Sequence, residues 1–252
     1  MSDKKIAIIG TAEPHWRAAP FNDQDWDIWT CGGVFKAAPR TTVHFELHSH
    51  AETCKGWSHS PEEENAARNV YWQWLASQGD RVVLRAPHSL CPAASIYPLD
   101  AVLTAFPDRY FTCSISWMLA AAIIERPKAI GLWGVDMALT GDPDIPASNE
   151  YARQRPSVEY YLGIATGSGI EVHLPPNTTL LTARKLYGFE DDGDDKFLSS
   201  IDAKRAELQN NLTQAQQIRD QKRMELIEAE KAIQAFRTGL EIANYARRNG
   251  EF

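Results

Sequence analysis

Residues 5–16 read KIAIIGTAEPHW and residues 129–137 read AIGLWGVDM. Each opens with a short, mostly apolar run that stops at a glycine, too short for a buried helix and bounded by a turn residue, which predicts two buried strands. Working outward, Asp25–Thr30 (DWDIWT) alternates Trp26 and Ile28 with polar neighbours and ends at Gly32-Gly33, a further strand and turn. Thr42–Leu47 alternates too, with Val43, Phe45 and Leu47 on one side and His44, Glu46 and His48 on the other. Arg81–Arg85 and Ile170–His173 complete the expected strands.

Helical signals separate these strands. Ser60-Pro61 followed by Glu62, Glu63 and Glu64 combines an N-cap serine, a first-turn proline and acids that complement the helix dipole, so a helix is expected to about Gln78 and to stop at Gly79. Phe111–Glu125 is apolar on most sides and predicts a buried helix, and Pro156–Gly167 predicts another. Strands alternating with helices imply an α/β fold: a Rossmann-like, mostly parallel sheet with flanking helices.

The expected division is a Rossmann-like unit over 1–189, an acidic linker over 190–195 (EDDGDD) and a long heptad-patterned helix over 196–249. In that last segment Leu198, Ile201, Arg205, Leu208, Leu212, Ala215, Arg219, Lys222, Leu226, Ala229, Ile233, Phe236, Leu240 and Ala243 follow a 3–4 spacing, the seam of a coiled coil and a basis for homo-oligomers. Arg219 and Lys222 interrupt it, leaving a choice between one helix of about 75 Å at 1.5 Å per residue and a hairpin near Asp220. No proline and only Gly239 before Gly250 interrupt the segment, which favours the continuous helix.

Residues 195–252 carry 10 Lys and Arg against 9 Asp and Glu, leaving 16 against 24 for the remainder, so the globular part is the acidic one. That balance does not support nucleic-acid binding, which needs clustered cations. Four scattered cysteines, without a CxxC pair, read as reduced thiols of a cytoplasmic protein. No apolar run reaches the roughly 18 to 20 residues of a membrane span, so no membrane partner is expected.

In open parallel sheets ligands bind beyond the carboxyl ends of strands. After the first strand, Gly10, Thr11, Ala12 and Glu13 offer turn amides to a phosphate or carboxylate, although the three-glycine fingerprint and the Walker lysine are missing. Ser114 or Ser116 is expected to cap the buried helix and to bring its amide-rich N-terminus to the same edge. Asp136 follows another strand and fits a ribose or sugar hydroxyl acceptor or a general base. Glu150, Gln154, Arg153 and Arg155 cluster before the expected helix at Pro156, where an arginine would neutralise charge on a leaving group. The alternatives are a plain βα turn, a structural serine cap and a surface salt-bridge cluster. His48, His50, Cys54 and His59 match no standard zinc module, so no metal site is expected, with those histidines the weak candidates and a divalent ion left open. Glu46 beside them is a further pocket candidate.

The segments KIAIIGTAEPHW, DIWTCGG, VHFELH, YFTCSISWMLAAAI, IGLWGVDM and EYARQRPSVEYYLGIATGSGI together resemble a family of Rossmann-like proteins of tailed bacteriophages, over residues 5 to 188. More distantly, the Gly10 turn, the serine-containing helix start before Met118 and the Gly134–Asp136 strand end are similar to sialyltransferase-like, 6-hydroxymethylpterin pyrophosphokinase-like and motility-associated glycosyltransferase folds. That resemblance implies a nucleotide or nucleotide-sugar site built from Gly10–Glu13, Ser114–Ser116 and Asp136. It places no catalytic histidine. The leading expectation from the residues is a transferase acting on a nucleotide-activated substrate, with Asp136 and Arg155 (or Arg153) as catalytic residues. The competing expectation is a non-catalytic module for a small ligand or host protein, made multivalent by the C-terminal helix.

Overall fold

A computed structural model describes residues 3–12, 15–58, 60–137, 146–176, 178–183, 186–189 and 196–250. Glu13, His59 and the acidic segment 190–195, all invoked above, lie outside the described residues. The elements run β1 (Lys5–Ile9), β2 (Trp26–Cys31), β3 (Val43–Glu46), α1 (Pro61–Gln78), β4 (Val82–Leu84), β5 (Ser95–Ile96), α2 (Leu99–Ala105), α3 (Ser114–Ile124), β6 (Ala129–Trp133), α4 (Pro146–Gly167), β7 (Glu171–His173) and α5 (Lys196–Asn249). The chain divides into two compact units, 1–182 and 183–252.

Seven strands form one sheet in the order β5-β4-β3-β2-β1-β6-β7, and every pairing is parallel. β1 lies in the interior of the sheet, in register with β2 (Lys5↔Trp26 to Ile9↔Thr30) and with β6 (Lys5↔Ala129 to Ile9↔Trp133). Its alternation serves two cores at once: Ile6 and Ile8 pack with α3 and α4, whereas Ala7 and Ile9 pack with Trp16, Phe21 and Trp26 on the opposite face. Burial on both faces is why β1 and β6 read as unbroken apolar runs. A third cluster joins Tyr71, Trp72 and Leu75 of α1 to β4, Cys54 and Cys91.

α1 starts and stops where the sequence says. The Ser60 hydroxyl accepts from the Glu63 amide at 3.2 Å, and Gly79 adopts φ 62° at the end. Two helix starts differ, and two elements are additional. α4 begins at Pro146 and carries Pro156 in its interior, so Glu150, Gln154 and Arg155 lie within the helix and not before it. The proline deprives one turn of a single hydrogen bond, and Val158, Tyr161 and Leu162, fully buried one turn later, hold the helix through it. α3 starts at Ser114, not Phe111, and its N-cap is Cys113. β5 and α2 have no counterpart in the sequence reading: β5 is two exposed residues held by pairing to β4, and α2 is seven residues with only Val102 buried.

α5 is one continuous helix of 54 residues, which removes the hairpin at Asp220. Its seam residues Ile201, Leu208, Leu212, Leu226, Ile233, Phe236 and Leu240 are all exposed. No helix among the described residues is long and apolar enough to cross a membrane.

Candidate functional site

The chain steps from β1 through β5 towards one edge, then returns to place β6 against the other side of β1. The loops after β1 and β6 therefore diverge to opposite faces, the switch point at which parallel sheets open a crevice. A cleft of about 360 Å³ lies there. Gly10, Thr11 and Ala12 line it from β1, Cys31, Gly32 and Gly33 from β2, and Phe45 and His48 from β3 and the residues after it. Ser114 and Ile115 come from α3, Gly134 to Met137 follow β6, Glu150, Tyr151 and Gln154 come from α4, and Trp57 closes the wall.

The β1 and β6 loops interlock through their glycines. Gly10 N donates to the Trp133 carbonyl at 2.8 Å and Ala12 N to the Gly134 carbonyl at 2.9 Å. A Cβ on Gly10 would stand 2.3 Å from the Gly134 oxygen, and Gly134, at φ 66°, would put one 2.6 Å from the Gly10 oxygen. Gly10 thus serves the close approach of two backbones. Of the four turn amides expected to be free, those of Gly10 and Ala12 bond the β6 loop, that of Thr11 has no described partner, and Glu13 lies outside the described residues.

The start of α3 divides the two serines. Ser114 lines the cleft. Ser116 is fully buried and does not: its hydroxyl donates to the Cys113 carbonyl at 2.7 Å and accepts from the Cys113 amide at 3.3 Å, completing a capping box from the third helical position. The amides of the first turn are left at the cleft edge, where the helix dipole favours an anion.

Asp136 lines the cleft, half-buried, with Oδ1 accepting from the Thr179 hydroxyl at 3.0 Å. Arg155 does not line it. Its Nε pairs with Glu159 at 2.9 Å and its Nη2 donates to the Thr179 carbonyl, while Glu159 also accepts from Leu181 N at 2.9 Å. These bonds tie α4 to the segment that seats Asp136, so Arg155 braces the carboxylate from behind instead of facing a leaving group. Glu150 and Gln154 both reach the cleft, joined Nε2 to Oε1 at 2.5 Å one helical turn apart.

Glu46 is 3 % exposed and is not among the lining residues. Its Oε1 accepts from the backbone amide of His48 at 2.8 Å and from its Nδ1 at 2.7 Å, and this hydrogen bond holds the His48 imidazole above the ordinary histidine range. Behind it, His44 bonds Thr30 Oγ1 at 2.8 Å and Tyr71 Oη at 2.6 Å, and burial drives its pKa down to about 3. His44 is therefore neutral at physiological pH. His50 stacks with His88 and Trp72, away from any shared ligand set with His48. Among the described residues no group of three or more His, Cys, Asp or Glu is arranged to hold a metal ion. Cys31, though at the cleft, has its thiol pushed up to about 12 by burial, which leaves no thiolate for nucleophilic chemistry at neutral pH.

Sequence reasoning passed over Cys31-Gly32-Gly33 and Trp57. The former stand directly after a strand, and the strand-end rule applied to β2 finds them. Trp57 had no signal: the loop after β3 brings it to the wall, where Phe35 stacks against it at 6.3 Å and 38 % of its surface stays exposed.

No protein-family model matches the sequence. No curated protein matches it either. Among solved structures, the chain is similar to the sialyltransferase CstII from Campylobacter jejuni in complex with a substrate analogue, cytidine-5'-monophosphate, at 15% identity over 71% of this chain and 83% of that one, with a TM-score of 0.45. It is similar to monomeric CstII at 13% identity, 70% and 83% coverage and a TM-score of 0.43. The complex of the same enzyme with a trisaccharide acceptor and CMP gives 15%, 68%, 80% and 0.40. At this identity and TM-score the likeness carries no chemistry over to this chain.

Proposed function

We propose that residues 1–182 bind a nucleotide or nucleotide sugar in the switch-point cleft, and that the unit acts as a group transferase of glycosyltransferase type. The observation that carries the reading is the convergence of the β1 turn, the α3 N-terminus and Asp136 on one cavity beyond the carboxyl ends of parallel strands. The Thr11 amide and the first turn of α3 suit a phosphate. Asp136, oriented by Thr179, suits ribose or sugar hydroxyls, and Glu150 stands ready as a second acceptor or a base. The exposed face of Trp57 suits a base or a sugar ring. The volume is within the range of small-ligand pockets. The proposed setting is the cytoplasm of a phage-infected cell, in keeping with four cysteines that are all free thiols.

The test is a thermal-shift panel of the four common nucleoside monophosphates and their nucleotide sugars on the full chain. At least one should stabilise it, by an amount that grows with ligand concentration. Asp136→Ala should fold as the parent does and weaken that ligand roughly ten- to hundredfold, as expected for losing charge-assisted hydrogen bonds. An unchanged shift in this variant would remove Asp136 from the site. Silence across the panel at millimolar concentration would overturn the nucleotide reading.

The exposed stripe of α5 favours a second reading, in which the same cleft belongs to a non-catalytic ligand- or host-protein-binding module that a coiled coil makes multivalent. Binding of a nucleotide sugar without release of free nucleotide, in the presence of sugar acceptors, would select it.

A further inference from the structure

The cleft has an electrostatic gap. Among the described residues, its lining includes the carboxylates of Asp136 and Glu150 but no lysine or arginine. A phosphate entering this space would meet two negative groups, with backbone amides and the neutral side chains of Thr11, Ser114 and Gln154 as donors and no lysine or arginine among the described lining residues. His48 lines the same cleft, 59 % of its side chain exposed, with Nδ1 committed to Glu46 and no described partner at Nε2. Glu46 is nearly inaccessible, and a carboxylate that deep needs a partner of opposite charge or a set of donors. The donors on its Oε1 both come from His48, one from the main chain and one from the ring.

We propose that His48, oriented by the buried Glu46, is the cationic phosphate-binding group of this cleft, donating from Nε2 to the phosphate of the bound nucleotide. The inference rests on the nucleotide reading above and deepens it. Glu46 is a positioning residue here: it fixes the ring through Nδ1 and leaves Nε2 as the donor presented to ligand.

The charged and titratable groups around His48 set its behaviour with pH. The Glu46 hydrogen bond raises its pKa most, burial opposes this, Glu46 and Glu52 add electrostatic support, and Arg85 works against it. Tyr71, adjoining Glu46, is pushed far above the ordinary tyrosine range and His44 far below the histidine range, so both stay neutral near pH 7. The imidazolium is therefore fully present below the usual histidine value, extends above it, and is lost as pH rises through the raised value.

The test is calorimetric titration of the full chain between pH 5.5 and 8.5, using the nucleoside monophosphate with the largest thermal shift and the matching nucleoside. Nucleotide affinity should fall roughly tenfold with rising pH, the usual weight of one charge-assisted bond, while nucleoside affinity stays level. His48→Gln should weaken the nucleotide roughly tenfold at pH 6 and leave the nucleoside unchanged. Dividing the parent profile by the variant profile cancels the ligand's own phosphate ionisation. Glu46→Gln should move the midpoint to lower pH, which a purely structural carboxylate would not do. Should His48→Gln fail to fold, the His48 ring signals of the unaltered chain are followed by nuclear magnetic resonance, and nucleotide must raise their midpoint. Equal nucleotide binding by His48→Gln, or an unmoved ring midpoint, overturns the inference while nucleoside binding keeps the cleft reading intact. If neither nucleotide nor nucleoside binds, the cleft reading falls and this inference with it.

Discussion

α3 and α5 are both helices rich in apolar residues, and they meet opposite fates. α3 is eleven residues long and buries eight of them, including Met118, Leu119 and Ala122. α5 runs for 54 residues with a stripe of apolar positions at 3–4 spacing, and Phe236 in that stripe is 74 % exposed. A helix covered on all sides needs no polar face, so α3 shows no amphipathic period. A helix covered along a single seam shows the period clearly but does not say what covers it. Local ion pairs such as Lys204–Glu207 at 3.1 Å and Lys222–Glu225 at 2.8 Å contribute only a few tenths of a kcal/mol each on an exposed surface. The remaining support for so long a helix is best supplied by a second copy of its own seam, which is the proposed basis of oligomerisation.

The sharpest way to break the contrast is to truncate one buried and one seam residue. Leu119→Ala should destabilise the 1–182 unit by about 2–5 kcal/mol, since fully packed surroundings cannot collapse into the space left. Ile233→Ala should leave the thermal unfolding of that unit within about 0.5 kcal/mol of the parent and weaken self-association instead. A comparable loss from both changes in the unfolding of residues 1–182 would erase the distinction.

A second contrast is with pH. His44 is held near 3 in the folded state against about 6.5 when unfolded, so its neutral form stabilises the fold fully above the unfolded value. That contribution is lost as pH falls, by roughly 2 kcal/mol between pH 7 and pH 5. Denaturant titrations of residues 1–182 should record the decline, and His44→Gln should flatten part of it. A profile identical in parent and variant would show that the buried Thr30–His44–Tyr71 chain does not govern acid stability. The smallest effect on the globular part is expected from ending the chain after Phe189. Light scattering should then report a monomer, with nucleotide-induced stabilisation retained. A shortened chain that keeps the full-length assembly would sink the seam proposal.

Much of the fold was legible because its main signals are local. Apolar runs that end in glycine placed β1 and β6, and the Ser60-Pro61 start placed α1 to the residue. β5 and α2 were illegible, since two exposed residues and about two turns of helix are stabilised by neighbours rather than by their own pattern. Of the candidate site, the strand-end rule brought Gly10, Ser114 and Asp136 together in advance. It did not reach the inner workings: the Gly10 amide bonds the β6 loop, Ser116 keeps its expected capping role but lies buried off the cleft, and Arg155 pairs with Glu159 and the Thr179 carbonyl outside the lining. A residue's type and position near a strand end say that it is available for chemistry, not whether a neighbouring carbonyl or carboxylate has already taken its donors.

By itself the sequence determined the parallel α/β class, the central strands and a long seam-bearing helix, because periodicity, capping and turn chemistry act within a few residues. Only the tertiary structure decided that β6 crosses back to lie against β1, that Trp57 and His48 reach one wall, and that a buried Glu46 grips an imidazole. Those facts depend on strand order and on which chains approach within hydrogen-bond distance, and no short-range pattern encodes either.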